Sequence, residues 1–396
     1  MATVAADRIL SLDIIRGIAV MGIFSVNVVG MAMIEDAYFY PPAYGFEGLG
    51  DRVMWAANFI LVDGKFRSLF SILFGASMVL VIERAVGAGK EGWQVHFPRM
   101  LVLLLFGLAH FYLLWWGDIL ANYALVGMIA YLFWRMEPLA LAAIGALSLA
   151  LMYAPMVGYG LQQQAQSESG IAMDTFSPLP SAQALAEAEA AHASIPAHLE
   201  ATLEQQAIRP FDSVAAYGLE TLGLMLLGMA GFKSGFLTGA WPRRRYAQIA
   251  GLLGGVGIVF YGYAAWRILA VDFQPSSFFP WNQLFTAPMR PVAALGYAAL
   301  FMLIVRPGAI ADRFAAVGRA AFTNYLGSTL IGVVLFFDFG FGLFGQLSRG
   351  QAWLIVPPVW AFMLLWSKWW LDRFRYGPFE WAWRSLSRWR WEPLRR

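Results

Sequence analysis

Two side chains in the stretch GLAHFYLLWWGDILANYALVG could do acid–base chemistry in apolar surroundings. His110 lies about two turns below the outer end of an apolar segment, Gly117 breaks the chain, and Asp118 opens the next segment. An imidazole there is a general base that titrates near neutrality, and a carboxylate eight positions on can orient it. The competing reading is packing, because an Asp that opens a helix is ordinarily an N-cap and a lone membrane His is often an interhelical hydrogen bonder. Asn122, one turn after Asp118 on the same face, adds an amide to the group.

Further polar residues occur where hydrocarbon is expected, and each is costly enough to be a functional candidate. In SLDIIRGIAVMGIFSVNVVG, Arg16 and Asn27 fall on one helix face, about 16 Å apart along the axis. That face offers a cation near the inner end and an amide donor toward the outside. Asp13, a turn before Arg16, supplies the alternative of a buried pair that positions the helix. In LVDGKFRSLFSILFG, Asp63 and Arg67 are i, i+4 neighbours with Lys65 between them, all at the outer end. Ser68, Ser71 and Gly75 then form a small-residue stripe that lets another helix approach. Arg290, flanked by Pro288 and Pro291, sits at a further outer end. In GRAAFTNYLGSTLIG, Arg319 and Thr323 stand one turn apart near the inner end, with Asn324 and Ser328 spaced likewise. Arg319 there could complement an anionic ligand. No metal-binding spacing, phosphate-binding Gly loop or nucleic-acid module is present.

The elements that must position these groups follow from composition. Of 396 residues 59% are apolar and 13% charged, too few charges to cover soluble domains of that length. The absence of Cys removes disulfides, thiolate metal sites and Cys nucleophiles. Segments of about 20 apolar residues, enough to cross a bilayer, fall at approximately 11–34, 65–85, 97–116, 119–136, 138–161, 214–237, 246–270, 287–306, 314–337 and 351–371. The first carries Asp13 and Arg16 and no cleavage site, so it is expected to remain as a membrane helix. An amphipathic piece at 52–62 is expected along the interface. One set of loops holds Arg84, Lys90, Arg99, Arg135, Lys233, Arg243–Arg245, Arg306 and Arg313; the other holds Glu35, Asp36, Glu47 and Asp51. Basic loops stay in the cytoplasm. The fold class expected is therefore all-α, a polytopic membrane helix bundle of about ten spans with both termini cytoplasmic. Residues 1–161 form a five-helix half carrying the candidate site, and 162–212 an acidic outer loop that caps a site or merely spaces two spans. Residues 213–376 form a second half. The Trp- and Arg-rich 377–396 is expected to lie as a helix on the inner leaflet.

SLDIIRGIAVMGIFSVN (11–27), DGKFRSLFSILFG (63–75), His110 with WWGDIL and YALVG (115–127), GRAAFTNY (318–325) and GPFEWAWR (377–384) together resemble the YeiB family of bacterial membrane proteins. That family is similar in turn to transmembrane acyltransferases such as heparan-α-glucosaminide N-acetyltransferase and surface-glycan O-acetyltransferases. The resemblance implies an inner-membrane enzyme that moves an acyl group from acetyl-CoA or another acyl-CoA to an extracytoplasmic glycan or lipid-linked hydroxyl or amine. In the O-acetyltransferase branch the first helix carries Arg, ten residues, then His; here Asn27 holds the His position, which passes the base role to His110. On this reading His110, Asp118 and Asn27 are catalytic, with Asn27 or Lys65 at the oxyanion. Arg16, Arg99, Arg319 and Thr323 meet the donor, while Asp63, Lys65, Arg67, Asn122, Arg290 and Asn324 meet the acceptor. Membrane lipids and the acceptor are the expected partners, with no metal and no nucleic acid, and a homodimer is compatible. The alternative is a transporter or exporter of a small anionic or amphipathic molecule, which the helix-interrupting Gly117, Pro155, Pro288, Pro291, Pro357 and Pro358 would suit.

Overall fold

The computed structural model describes residues 10–168 and 179–396. Among them every regular element is helical, apart from a single antiparallel bridge between Phe374 and Arg395. The first half runs α1 (Leu10–Ala32), α2 (Glu35–Phe39), α3 (Leu49–Leu61), α4 (Lys65–Gly87), α5 (Gly92–Leu113), α6 (Leu120–Ala130) and α7 (Pro138–Glu168). The outer cap contains α8 (Ala182–Ala191) and α9 (Ile195–Gln206), and α10 (Arg209–Lys233) follows. The remainder is α11 (Arg243–Ile249), α12 (Gly255–Ala270), α13 (Pro275–Phe279), α14 (Met289–Ile304), α15 (Ala309–Arg319), α16 (Ala321–Phe336), α17 (Arg349–Trp353), α18 (Val356–Arg373) and α19 (Pro378–Ser387).

Among the described residues seven helices are long and apolar enough to cross a membrane. The pair Pro275–Leu284 and Met289–Ile304, bent by 49°, supplies an eighth, and two shorter apolar helices, Leu120–Phe133 and Ala321–Phe336, account for the other expected spans. The chain is a polytopic helical membrane protein. With no water in hydrocarbon, helix association depends on close packing and internal hydrogen bonds. Two glycine crossings meet that need. A Cβ on Gly318 would lie 1.7 Å from the Asp13 carbonyl oxygen, which locks α15 against α1. A Cβ on Gly75 would lie 2.0 Å from the Met225 carbonyl oxygen, so the small-residue stripe of α4 receives α10. These crossings interleave the two halves of the sequence, with α1 on α15 and α10 on α4 and α7.

Three elements differ from expectation. The ninth span is not one helix over 314–337: it breaks at Ala320, between α15 and α16. The carboxylate of Glu380 accepts hydrogen bonds from the Phe322 and Thr323 amides at 2.7 and 3.1 Å, satisfying donors that a new helix start leaves open. Consequently α19 does not simply lie on a lipid surface. It docks through Glu380 and through the Trp383 indole, which donates to the Arg99 carbonyl at 2.7 Å, while Trp389 and Trp391 stay exposed. Third, α3 runs on into α4 as one 39-residue apolar stretch and packs on α12 and α17.

Residues 169–178 of the acidic loop lie outside the described residues. Its second part packs down as α8 and α9. The His192 ring stacks on Phe344 at 3.6 Å, the Asp338 amide donates to the His192 carbonyl at 3.1 Å, and Tyr112 donates to the Ala207 carbonyl. The start of α1 and α19 share the end of the bundle that carries Arg84 and Arg99, and the cap lies at the other. A Cys at exposed Ala240 should therefore react with an impermeant maleimide in inverted vesicles, and one at exposed Ala186 in intact spheroplasts. The reverse pattern would invert the bundle.

The cap should also respond to acid. Burial, helped by neighbouring His192, pushes the His198 pKa down to about 4, and burial lowers His192 as well. Both favour the neutral ring when packed, so their contribution is complete above about pH 6.5 and is lost as pH falls toward 4. Amide protection in α8 and α9, corrected for intrinsic exchange, should decline over that window and become flat when both histidines are replaced by Phe. Constant protection in the unmodified protein would contradict this.

Candidate functional site

The geometry centres on the α5–α6 hairpin. Gly117 and the turn after α5 bring Asp118 back to His110, whose Nδ1 lies 2.8 Å from Asp118 Oδ2. The other carboxylate oxygen accepts from the Ala121 amide at 2.8 Å, so Asp118 is cap and orienter at once. As a carboxylate, Asp118 can only accept, which puts the proton on Nδ1 and leaves Nε2 to accept from a hydroxyl. That hydroxyl is Thr329 on α16, at 2.9 Å. The His110 and Asp118 side chains are 1% and 2% exposed. Hydroxyl, imidazole and carboxylate are hydrogen-bonded in this order, the order in which such groups can pass a proton. Tyr325, one turn before Thr329, packs its ring 5.2 Å from His110.

On the inner side of this relay is a cavity of about 290 Å³. Arg16, Arg84, Arg99, Arg319, Arg375 and Arg384 line it, with Asp13 and Glu380 as its acidic members. Arg16 bonds Asp13 at 3.0 Å and the Ser77 hydroxyl at 2.7 Å, so the helix-positioning pair and the cavity cation are the same residue. The Arg99 guanidinium lies 4.2 Å from the Trp383 ring centroid. Burial raises the Glu380 pKa, and its hydrogen bonds from Phe322 and Thr323 oppose that shift. The cavity continues toward the basic end into a second space of about 700 Å³ that shares Arg84, Arg99 and Arg384 and adds Lys90, Arg388 and Arg390. Such a funnel of guanidinium groups suits a polyanion such as a pyrophosphate.

On the outer side is a cavity of about 260 Å³. Ile119 and Tyr123 line both it and the inner cavity, so a single layer of α6 side chains separates the two. Asp118 faces the outer one. Arg67 lines it while bonding both oxygens of Glu220 at 2.8 Å, and Tyr153 donates to the same carboxylate at 2.8 Å. Arg209 lines it while pairing with Glu35 at 2.5 Å. Burial and the Asp63 carboxylate raise the Tyr38 pKa, which keeps that hydroxyl a neutral donor in the wall.

The structure brings Asp63, Arg67, Asp118, Asn122 and Arg290 to the outer cavity, and Arg16, Arg99 and Arg319 to the inner one. Five expected residues go elsewhere. His110 lines neither cavity; its ring is enclosed by Asp118 and Thr329. Lys65 turns its ammonium toward the Phe59 carbonyl at 2.7 Å and under the Tyr261 ring, 3.0 Å from the centroid. Asn27, half-buried on α1, belongs to neither wall. The Thr323 hydroxyl donates to Glu380 at 2.5 Å and accepts from the Phe379 amide, and Asn324 bonds Val317, Ser367 and Trp366. Sequence reasoning also passed over Thr329, Glu220, Arg349 and Glu380. Glu220 had a signal: it is a carboxylate in the middle of the apolar run YGLETLGLMLLG. Thr329 had none, since a hydroxyl is cheap in a membrane helix. Among the described residues no group of three His, Asp or Glu is arranged to hold a metal ion.

A family model described as "Protein of unknown function (DUF418)" matches residues 231–390. The chain is 31% identical over 394 residues to "Uncharacterized protein YeiB" of Escherichia coli K12, covering 96% of each chain. It is 30% identical over 420 residues to "Uncharacterized protein YxaH" of Bacillus subtilis 168, covering 99% of this chain and 97% of the relative. Identity to "Uncharacterized 39.9 kDa protein in amylase 3'region" of Bacillus acidopullulyticus is 25% over 389 residues. No solved structure matches the chain.

The ion pairs differ in burial and should differ in worth. Glu220→Gln leaves Arg67 without its counter-charge beside a carboxylate site that is 1% exposed, and should cost about 3 kcal/mol. Glu35→Gln breaks a pair whose partners are 26% and 33% exposed, and should cost about 1 kcal/mol or less. Detergent-induced unfolding measures both, and equal losses would contradict the buried role of Glu220.

Proposed function

The chain belongs to the YeiB-like DUF418 family, and we propose that it is an acyltransferase of the bacterial inner membrane. In this reading it moves an acyl group from cytoplasmic acyl-CoA to an extracytoplasmic hydroxyl or amine. One arrangement carries the proposal: the Thr329–His110–Asp118 relay lies beside a wall of one layer of side chains, with a basic cavity on one side and a polar cavity on the other. A soluble donor and an outer acceptor that never share a compartment require such a wall and a base next to it.

Arg84, Arg99 and Arg384, shared by the inner cavity and its basic mouth, bind the donor phosphates and leave the acyl end directed toward Tyr123. CoA supplies a thiolate leaving group. His110 and Thr329 line neither cavity, so the acceptor must first reach the Thr329 hydroxyl; His110 Nε2 then takes the acceptor's proton through it as the acceptor oxygen or nitrogen bonds to the acyl carbon. The carbon–sulfur bond breaks and the departing thiolate receives that proton from the imidazolium. Asp118 fixes the tautomer and stabilises the imidazolium. Asn27 and Lys65 do not face this wall, so the oxyanion falls to the Tyr123 hydroxyl, held by Ser71 at 2.6 Å. The break at Ala320 and the bent pair α13–α14 are the features a transporter would use. That reading expects flux with no covalent change.

The test is acyl transfer from radiolabelled acetyl-CoA to outer acceptors in oriented vesicles. His110→Gln keeps a hydrogen bonder and removes the base, and should lower turnover by about 100-fold or more with acetyl-CoA binding retained. Unchanged turnover in the variant, or acceptor flux without acylation in the unmodified protein, would end the mechanism.

A further inference from the structure

The outer cavity holds charges that the protein does not pair with one another. Arg67 has Glu220 and Arg209 has Glu35, but among the described residues Asp63, Arg290 and Arg349 form no ion pair. Arg290 still feels the Glu220 carboxylate and bonds the Tyr261 hydroxyl, but it has no carboxylate of its own, and charge left in this way at the edge of hydrocarbon is a functional candidate. Arg349 is 9% exposed, donates to the Ala37 carbonyl, and has a buried Nε with no hydrogen-bond partner. Arg290 lays its stem across Gly64, where a Cβ would come within 2.7 Å of the Arg290 Cδ, directly after Asp63 in the chain. Gly64 has φ +69°, and no side chain could occupy that position without moving the guanidinium. Tyr38, Asp63, Arg290 and Arg349 all line this one cavity, and the Tyr38 hydroxyl feels these three charges together with Arg67. Trp116, with the Arg209 guanidinium 4.9 Å from its ring centroid, lines the same cavity.

We infer that this cavity binds a sugar-linked phosphate, its oxyanion held between Arg290 and Arg349 and its hydroxyls taken by Asp63 and Tyr38. Two guanidinium groups brought from α14 and α17 match the several oxygens of a phosphate. A carboxylate in the same cavity would repel a bare anion, but it accepts hydrogen bonds from a neighbouring polyol, and the Trp116 ring suits the apolar side of a pyranose. The ligand is either a soluble sugar phosphate or the headgroup of a lipid. Calling it the acceptor rests on the acyltransferase reading; the binding site itself does not.

Binding is measured on the full chain in phosphatidylcholine nanodiscs without acyl-CoA, using glucose 1-phosphate, glucose and inorganic phosphate as probes. Glucose 1-phosphate should bind at least tenfold more tightly than glucose. Arg290→Gln and Arg349→Gln should each weaken it tenfold or more, and Arg290→Lys should recover part of the loss. Asp63→Asn should weaken glucose 1-phosphate and leave inorganic phosphate unchanged or improved. Arg290→Gln carries the test if Arg349→Gln fails to fold, because Arg349 also ties α17 to the Ala37 carbonyl of α2. In phosphatidylglycerol nanodiscs a lipid headgroup source predicts loss of the glucose 1-phosphate signal, and a soluble source predicts that it persists. No binding of any phosphate probe in phosphatidylcholine, or equal binding by Arg290→Gln, overturns the site. Phosphate binding without acyl transfer would leave the site standing and remove only the acyltransferase reading.

Discussion

A carboxylate placed in a hydrocarbon layer must be satisfied by the protein, because no water is available to do it. Asp118 meets that constraint with both oxygens, one on the Ala121 amide and one on the His110 ring, and His110 passes the contact on to Thr329. Three helices, α5, α6 and α16, are thereby joined at one buried point. The position of α6 follows from this joint, and Ile119 and Tyr123, which form the wall between the two cavities, are the next residues along it. Loosening Asp118 would move His110 and the barrier together.

The same constraint organises the charges around the joint. At the outer end, Glu220 is buried and answers Arg67 and Tyr153, while Glu35 and Arg209 pair near the surface. At the inner end the arrangement is the opposite: arginines outnumber acids around the cavity, and Glu380 is taken up by the start of α16. The positive-inside rule explains basic loops, and it is satisfied by residues anywhere on that face. It does not explain why Arg16, Arg319 and Arg384, from three distant parts of the chain, line one cavity. The polyanionic donor proposed above would.

Much of this was legible in the chain. The ten apolar segments, the Asp118 turn and the small-residue face of α4 follow from hydropathy and spacing, since each is a local property. Local reasoning failed where a side chain had a choice of direction. Asp63, Lys65 and Arg67 crowd one helix start, and a helix cannot aim three consecutive alternate positions at one cavity; Lys65 took the aromatic side under Tyr261. Asn324 looked like a site residue and became an interhelical hydrogen bonder. Partners far apart in sequence were invisible: Thr329 lies 219 positions from His110, and Glu220 lies 153 from Arg67. The break at Ala320 depends on Glu380, so no pattern within the ninth span could reveal it.

The proposed donor site opens only to the basic face of the bundle. Equilibrium binding of radiolabelled acetyl-CoA to the unmodified protein, in sealed vesicles of opposite orientation, tests it most directly. Binding should be saturable when the Arg84–Arg99 face is accessible, weakened by salt because exposed charges at the mouth are screened, and absent from the face that carries the cap. Binding from the cap face, or no saturable binding from either, would contradict it.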